Sequence, residues 1–128
     1  MATNLAVKWG NLEAVQIIGD ALNSPEFFVR NSAGTYVSHT GYTLSSILLD
    51  SFDNTVATPV ISFATATPPG ETASVVDSKV SISDIPANLP TKEGEYVLWI
   101  TKVNDGDATD IETIMRIKYK FLAKKFNL

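Results

Sequence analysis

The only histidine, His39, lies in Tyr36-Val37-Ser38-His39-Thr40-Gly41 and is the one imidazole available as a general base. Nucleophilic hydrolysis needs such a base within reach of its nucleophile. Ser38 is adjacent, but neighbouring residues on a strand point to opposite faces, so the two do not form a dyad there. His39 is expected in a turn or at the surface. With no cysteine in the chain, carboxylates remain as the metal ligands, a donor set that favours calcium over zinc. The best-spaced oxygens are in Asn104-Asp105-Gly106-Asp107-Ala108-Thr109-Asp110. Gly106 takes the third position, where the calcium loop needs a ligand, and the closing Glu is missing. Asp and Gly are also what a hairpin turn requires, so the segment is read as a turn, with no metal site and no cofactor.

Other constellations fall in the same way. Asp50 with Asp53, or Glu93 with Glu95, would supply the two carboxylates of a glycosidase, but both pairs sit in expected turns. Gly19, Gly34 and Gly41 are isolated, and neither phosphate-cradling glycine motif occurs. In Lys118-Tyr119-Lys120-Phe121 the aromatics face away from the lysines on a strand, so they cannot share a base-stacking platform. No catalytic residue is assigned, and the chain is not expected to be an enzyme.

The elements that carry these residues read as β throughout. Turn punctuation recurs at 31–34, 50–55, 67–70, 86–94 and 104–110, a spacing that suggests a sandwich or barrel and not βαβ units. Strands are expected near 4–9, 25–31, 35–38, 42–50, 58–66, 79–85, 95–103 and 111–122. In the last of these, Ile111, Thr113, Met115, Ile117, Tyr119 and Phe121 share one face, and Glu112, Arg116, Lys118 and Lys120 share the other. The preceding strand is apolar on both faces, with Tyr96, Leu98 and Ile100 opposite Val97, Trp99 and Val103. It should therefore be central, with Trp99 buried by the chain's own loops. Gly94 two residues before Tyr96 is the spacing of a tyrosine corner. Leu12, Val15, Ile18 and Leu22 have helical spacing, so a short helix near 11–22 stands beside the strand reading, which is preferred. Pro86 to Pro90 should cross between sheets.

At 128 residues, 45% hydrophobic and 19% charged, the composition is that of an ordered globular chain. One β-sandwich domain over 1–122 with a tail at 123–128 accounts for it. Residues 1–112 carry −9 and residues 113–128 carry +5. An acidic body with a basic end argues against nucleic acid as a partner. No apolar run approaches the ~20 residues of a membrane span, and no secretory signal is read at the start. The absence of cysteine suits assembly in a reducing cytoplasm.

Three segments, Phe27-Phe28-Val29-Arg30-Asn31-Ser32-Ala33-Gly34-Thr35, Gly41-Tyr42-Thr43-Leu44-Ser45-Ser46-Ile47-Leu48-Leu49-Asp50 and Ile85 to Tyr96, together resemble the immunoglobulin-like β-sandwich modules of tailed-bacteriophage virions. The core cysteine pair of antibody domains is absent. The resemblance implies an antiparallel sandwich of about seven to eight strands and a non-enzymatic virion component: a capsid-decorating protein or a tail, baseplate or fibre adaptor. It would be assembled in the host cytoplasm and would contact other virion proteins or copies of itself. Arg116, Lys118, Lys120, Lys124, Lys125, Phe126 and Leu128 form the candidate subunit interface; Gly94, Tyr96 and Trp99 are structural. The competing expectation is a carbohydrate- or receptor-binding sandwich using Trp9, Tyr36, Tyr42 or Phe52.

Overall fold

The computed structural model describes residues 10–23 and 26–124. The strand expected near 4–9, Trp9, and the tail residues Lys125, Phe126 and Leu128 lie outside the described residues. Eight strands are described: β1 (Gly10–Ile17), β2 (Phe27–Phe28), β3 (Tyr42–Leu49), β4 (Thr55–Ala57), β5 (Val60–Ala66), β6 (Val75–Ser83), β7 (Gly94–Asn104) and β8 (Asp107–Leu122). A five-stranded sheet, ordered β1-β8-β7-β3-β4, packs on a three-stranded sheet ordered β2-β6-β5. The protein is an all-β, immunoglobulin-like sandwich. The core between the sheets holds Leu48, Leu98, Ile100, Ile117, Tyr119 and Phe121 from the larger sheet against Phe27, Val80 and Ile82 from the smaller. Each of these sits on one phase of its strand, as a two-residue side-chain period requires.

The segment at 11–22 forms no helix. Residues 10–17 run parallel to β8, with Gly10 opposite Met115 and Ile17 opposite Leu122. The buried Gln16 side chain explains where this strand stops. Its amide donates to the carbonyls of Ile17, Asp20 and Ala21 at 3.0–3.1 Å, and its oxygen accepts from the Asn23 amide. One side chain thus satisfies the backbone of the turn that would otherwise need helical bonds. The strands expected at 25–31 and 35–38 shrink to β2 and a single Arg30–Tyr36 bridge. Asn31 is the cause: its side-chain oxygen accepts from the amides of Ala33 and Thr35, drawing them out of any ladder. Pro86–Asn88 is a single 3₁₀ turn within the crossing between sheets.

The last strand departs from the expected alternation. Ile100 pairs with Met115 and Thr101 with Thr113, so Ile114 is an extra residue in β8. This β-bulge inverts the faces before it. Glu112 and Ile114 turn inward, whereas Ile111 is 49% exposed. Met115, Ile117, Tyr119 and Phe121 remain inside, with Arg116, Lys118 and Lys120 outside.

Candidate functional site

Register places the outward side chains of the five-stranded sheet in rows that run across it. Ile47, Trp99, Arg116 and Asn11 form one row; Leu49, Val97, Lys118 and Glu13 the next; Glu95, Lys120 and Val15 the third. In the first two rows the β3–β7 side is apolar and the β8–β1 side is polar or charged. Arg116 donates to Asn11 Oδ1 at 2.9 Å, and its guanidinium stands 5.5 Å from the centre of the Trp99 ring. Lys118 meets Glu95 at 3.5 Å, and Lys124 meets Asp20 at 3.0 Å. Lys120 is exposed, and among the described residues no carboxylate comes within ion-pairing distance of it. The structure therefore brings Arg116, Lys118 and Lys120 onto one face. Glu13, Val15, Glu95, Lys118 and Lys120 line a groove of about 300 Å³ there.

Gly94 and Tyr96 build the edge from which β7 enters. The Tyr96 hydroxyl donates to the Lys92 carbonyl at 3.0 Å, and its ring meets Phe121 edge-on at 4.8 Å. This is a tyrosine corner. Gly94 has φ 152°, a backbone conformation that side chains rarely adopt, so the corner selects glycine on conformation and not on space: a Cβ there would meet the Tyr96 ring at 3.7 Å, an ordinary contact.

A polar cluster lies between the sheets at the opposite end, and the sequence reading did not find it. Lys102 is 2% exposed and Glu112 is 6% exposed; they are direct partners across β7 and β8. The Lys102 ammonium sits 4.3 Å from the centre of the Tyr42 ring. Asp110 Oδ2 accepts from Tyr42 Oη at 3.3 Å and from the Asn104 amide at 3.2 Å. Burial lowers the pKa of Lys102 and raises that of Glu112, and the opposite charge of each resists the other's shift. One signal was available: Lys102 continues the phase of Tyr96, Leu98 and Ile100, which put a lysine on the buried face.

His39 belongs to the same end. It precedes a turn, since its carbonyl accepts from the Tyr42 amide at 3.0 Å, but it is fully buried and not at the surface. Its ring packs on Phe63 at 6.0 Å, and among the described residues neither ring nitrogen has a hydrogen-bond partner. Burial, with Lys102 adding to it and Asp77 opposing, pulls its pKa down to about 4. Ser38 bonds to Thr40 instead, at 3.0 Å.

The candidate carboxylates are engaged, but Glu95, expected in a turn, lies on β7 and meets Lys118. Asp50 Oδ1 accepts from the amides of Phe52 and Asn54 at 2.8 and 2.9 Å, bonds that hold its pKa down, that from Asn54 most strongly. Glu93 caps the Ala123 amide at 2.8 Å. In the β7–β8 hairpin Asp105 accepts from Thr43 at 2.6 Å, and Asp107 accepts from Thr109 at 2.6 Å. Among the described residues no three His, Asp or Glu side chains are grouped to hold a metal ion.

The aromatic candidates do not converge. Tyr42 is in the buried cluster, and Phe52 is 83% exposed at the β3–β4 turn. Tyr36 lies beside β2, with Arg30 over its ring at 4.5 Å and bonded to its hydroxyl at 2.6 Å. Phe28, Arg30, Tyr36 and Pro69 border a shallow depression of about 390 Å³. No protein-family model matches the chain, and no curated protein matches it.

Proposed function

We propose that the chain is a non-enzymatic structural or assembly protein of a tailed-bacteriophage virion, a capsid-decorating protein or a tail, baseplate or fibre adaptor. It works through contacts with other virion proteins or with copies of itself. The outer face of the five-stranded sheet carries this reading. Ile47, Leu49 and Val97 lie half-buried beside a margin of Arg116, Lys118 and Lys120, in register on rigid strands. An apolar centre bordered by charge is the layout of a protein interface, where the charged margin sets register more than affinity. The turn and cap carboxylates fit the same reading, because Asp50, Glu93, Asp105 and Asp107 are spent on backbone and hydroxyl donors. Peptide mapping of gradient-purified particles of the encoding phage tests it. The chain is expected at a fixed ratio to the main head or tail protein; a chain found in the lysate but not in particles overturns the reading.

The carbohydrate- or receptor-binding alternative rests on the Phe28–Arg30–Tyr36 depression, which combines rings with a cation. Arg30 already covers one face of Tyr36, the surface a sugar would stack on. Specific hits on a glycan array that vanish in Tyr36→Ala would favour this alternative.

A further inference from the structure

The two sheets end on β1, β4, β2 and β5, and three of these edges are blunted. β4 is three residues long and β2 is two. β1 carries Glu13, and its Val15 carbonyl accepts from the Asn23 side-chain amide at 2.9 Å. The fourth edge, β5, has no such protection over residues 60–64. These pair with β6 without interruption, and the ladder becomes irregular only between Ala64 and Ala66. No charged residue occurs from Asn54 to Gly70. Among the described residues β6 is the one strand that pairs with β5, so its other side presents free backbone donors and acceptors. An open, uncharged edge is a template for one more strand. Pro59 and the irregular step at 64–66 limit that template to five residues.

The chain does not cover this edge with the strand before it. β4 pairs with β3 at Leu48 and Leu49 and stays in the other sheet. A second β5 does fit. Antiparallel pairing about a two-fold axis at Ser62 sets Ile61 opposite Phe63 of the other copy, and Phe63 opposite its Ile61. Both side chains pack against the core but are only partly buried. A β-branched residue facing an aromatic across two strands is a favourable pair, and here it forms twice. On the exposed outer face Val60 meets Ala64 and Ser62 meets Ser62. The charge one strand in, Lys79 beside Ala64, is already paired with Glu26 at 3.3 Å. The edge is therefore complementary to itself in side chains and in charge, as a two-fold contact requires.

We infer that β5 of one copy pairs antiparallel with β5 of a second about an axis at Ser62, joining two three-stranded sheets into one of six strands. This rests on the assembly reading above and names a second copy as the partner of this edge. The contact uses the β5 edge of both copies, so association closes at the dimer. A five-residue edge buries less than the roughly 1,200 Å² of a stable interface, so Kd lies between about 10 μM and 1 mM. Copies held side by side in an assembly raise the effective concentration into that range.

The chain has no cysteine, so single cysteines report the register. Opposed residues of an antiparallel pair have Cα atoms about 4.5–5.5 Å apart, within the span of a disulfide. Ser62→Cys should therefore give a disulfide-linked dimer under mild oxidation. Val60→Cys should not, because its counterpart lies about 13 Å away along the strand. Sedimentation velocity of the parent up to about 1 mM should show a dimer and nothing larger. Ser62→Lys opposes two like charges at the axis, on an exposed position, and should weaken the dimer at least about tenfold with the melting temperature kept. A parent that stays monomeric, a Val60→Cys variant that cross-links as readily as Ser62→Cys, or a Ser62→Lys dimer as strong as the parent's overturns the inference. A monomeric parent whose Ser62→Lys variant is lost from particles gives the edge to another virion protein, which overturns it too. The assembly reading is decided separately, by the content of purified particles. A chain present in particles but monomeric and not cross-linked refutes this contact alone; a cross-linked dimer of a chain absent from particles supports the contact and refutes the assembly reading.

Discussion

Lys102 and Glu112 are nearest partners across β7 and β8, almost wholly withdrawn from water, yet they do not close into an ion pair. The ammonium lies against the Tyr42 ring at 4.3 Å, and among the described residues Glu112 Oε2 has no hydrogen-bond partner. Each charge is held by the other's field and not by contact. Removing one should therefore cost more than removing both. Lys102→Met leaves Glu112 and Asp110 without their compensating cation and should cost about 3 kcal/mol. Lys102→Met with Glu112→Leu should recover at least about 1 kcal/mol of the summed losses in a double-mutant cycle by urea unfolding. Strict additivity would mean the two charges do not interact.

His39 should make the protein acid-sensitive. Its pKa is about 4 in the fold, against about 6.5 in the unfolded chain. As pH falls from 6.5 the unfolded chain takes up the proton first, so stability drops through this window and levels off near 4. The total loss is at most about 3 kcal/mol. Glu112 acts in the opposite sense. Its raised pKa means that the folded chain binds the proton first, so stability is regained as pH falls through its range. The histidine effect is therefore best read in Glu112→Gln, where unfolding free energy should fall steeply from pH 6.5 to 4. Adding His39→Leu should flatten that slope; a slope that survives assigns it to other groups.

The tyrosine corner gives a smaller, local prediction. Tyr96→Phe keeps the ring on Phe121 but deletes the 3.0 Å bond to the Lys92 carbonyl. A loss of about 1 kcal/mol is expected, with the fold intact. Ala in place of Gly94 should be a further test of the same corner, because φ 152° is strained for any side chain. Thermal melts of both variants measure these losses.

Much of this fold was legible because its cues are local. Turn residues at regular spacing fixed the sandwich, and Gly94-Glu95-Tyr96 fixed the entry to β7. What escaped reading depends on partners distant in sequence. Nothing between residues 107 and 122 announces that Ile114 will be an extra residue; that follows only from pairing with β7. Whether Lys118 and Lys124 are neutralised depends on Glu95 and Asp20. The helical spacing of Leu12, Val15, Ile18 and Leu22 lost to a parallel partner in β8 and to the Gln16 side chain. His39 looked like a surface turn because its immediate neighbours are polar, whereas Phe63 and Lys102, which enclose it, lie on β5 and β7.

The bulge in β8 can be tested through two isoleucines whose roles it exchanges. Strict alternation from Phe121 back to Ile111 would bury Ile111 and expose residue 114. With one residue extra, Ile114 is fully buried in the core and Ile111 is 49% exposed. Ile114→Ala should then cost about 2–5 kcal/mol, the transfer loss plus the cavity left in a packed interior. Ile111→Thr should stay within about 0.5 kcal/mol, because it removes little buried area and keeps a β-branched side chain on the strand. Denaturant unfolding of the two variants decides between the geometries, since uninterrupted alternation requires the reverse order. The order also bears on the buried cluster. Only the inverted phase turns Glu112 inward against Lys102, so a severe loss at Ile114 and a mild one at Ile111 would support the burial of that pair as well.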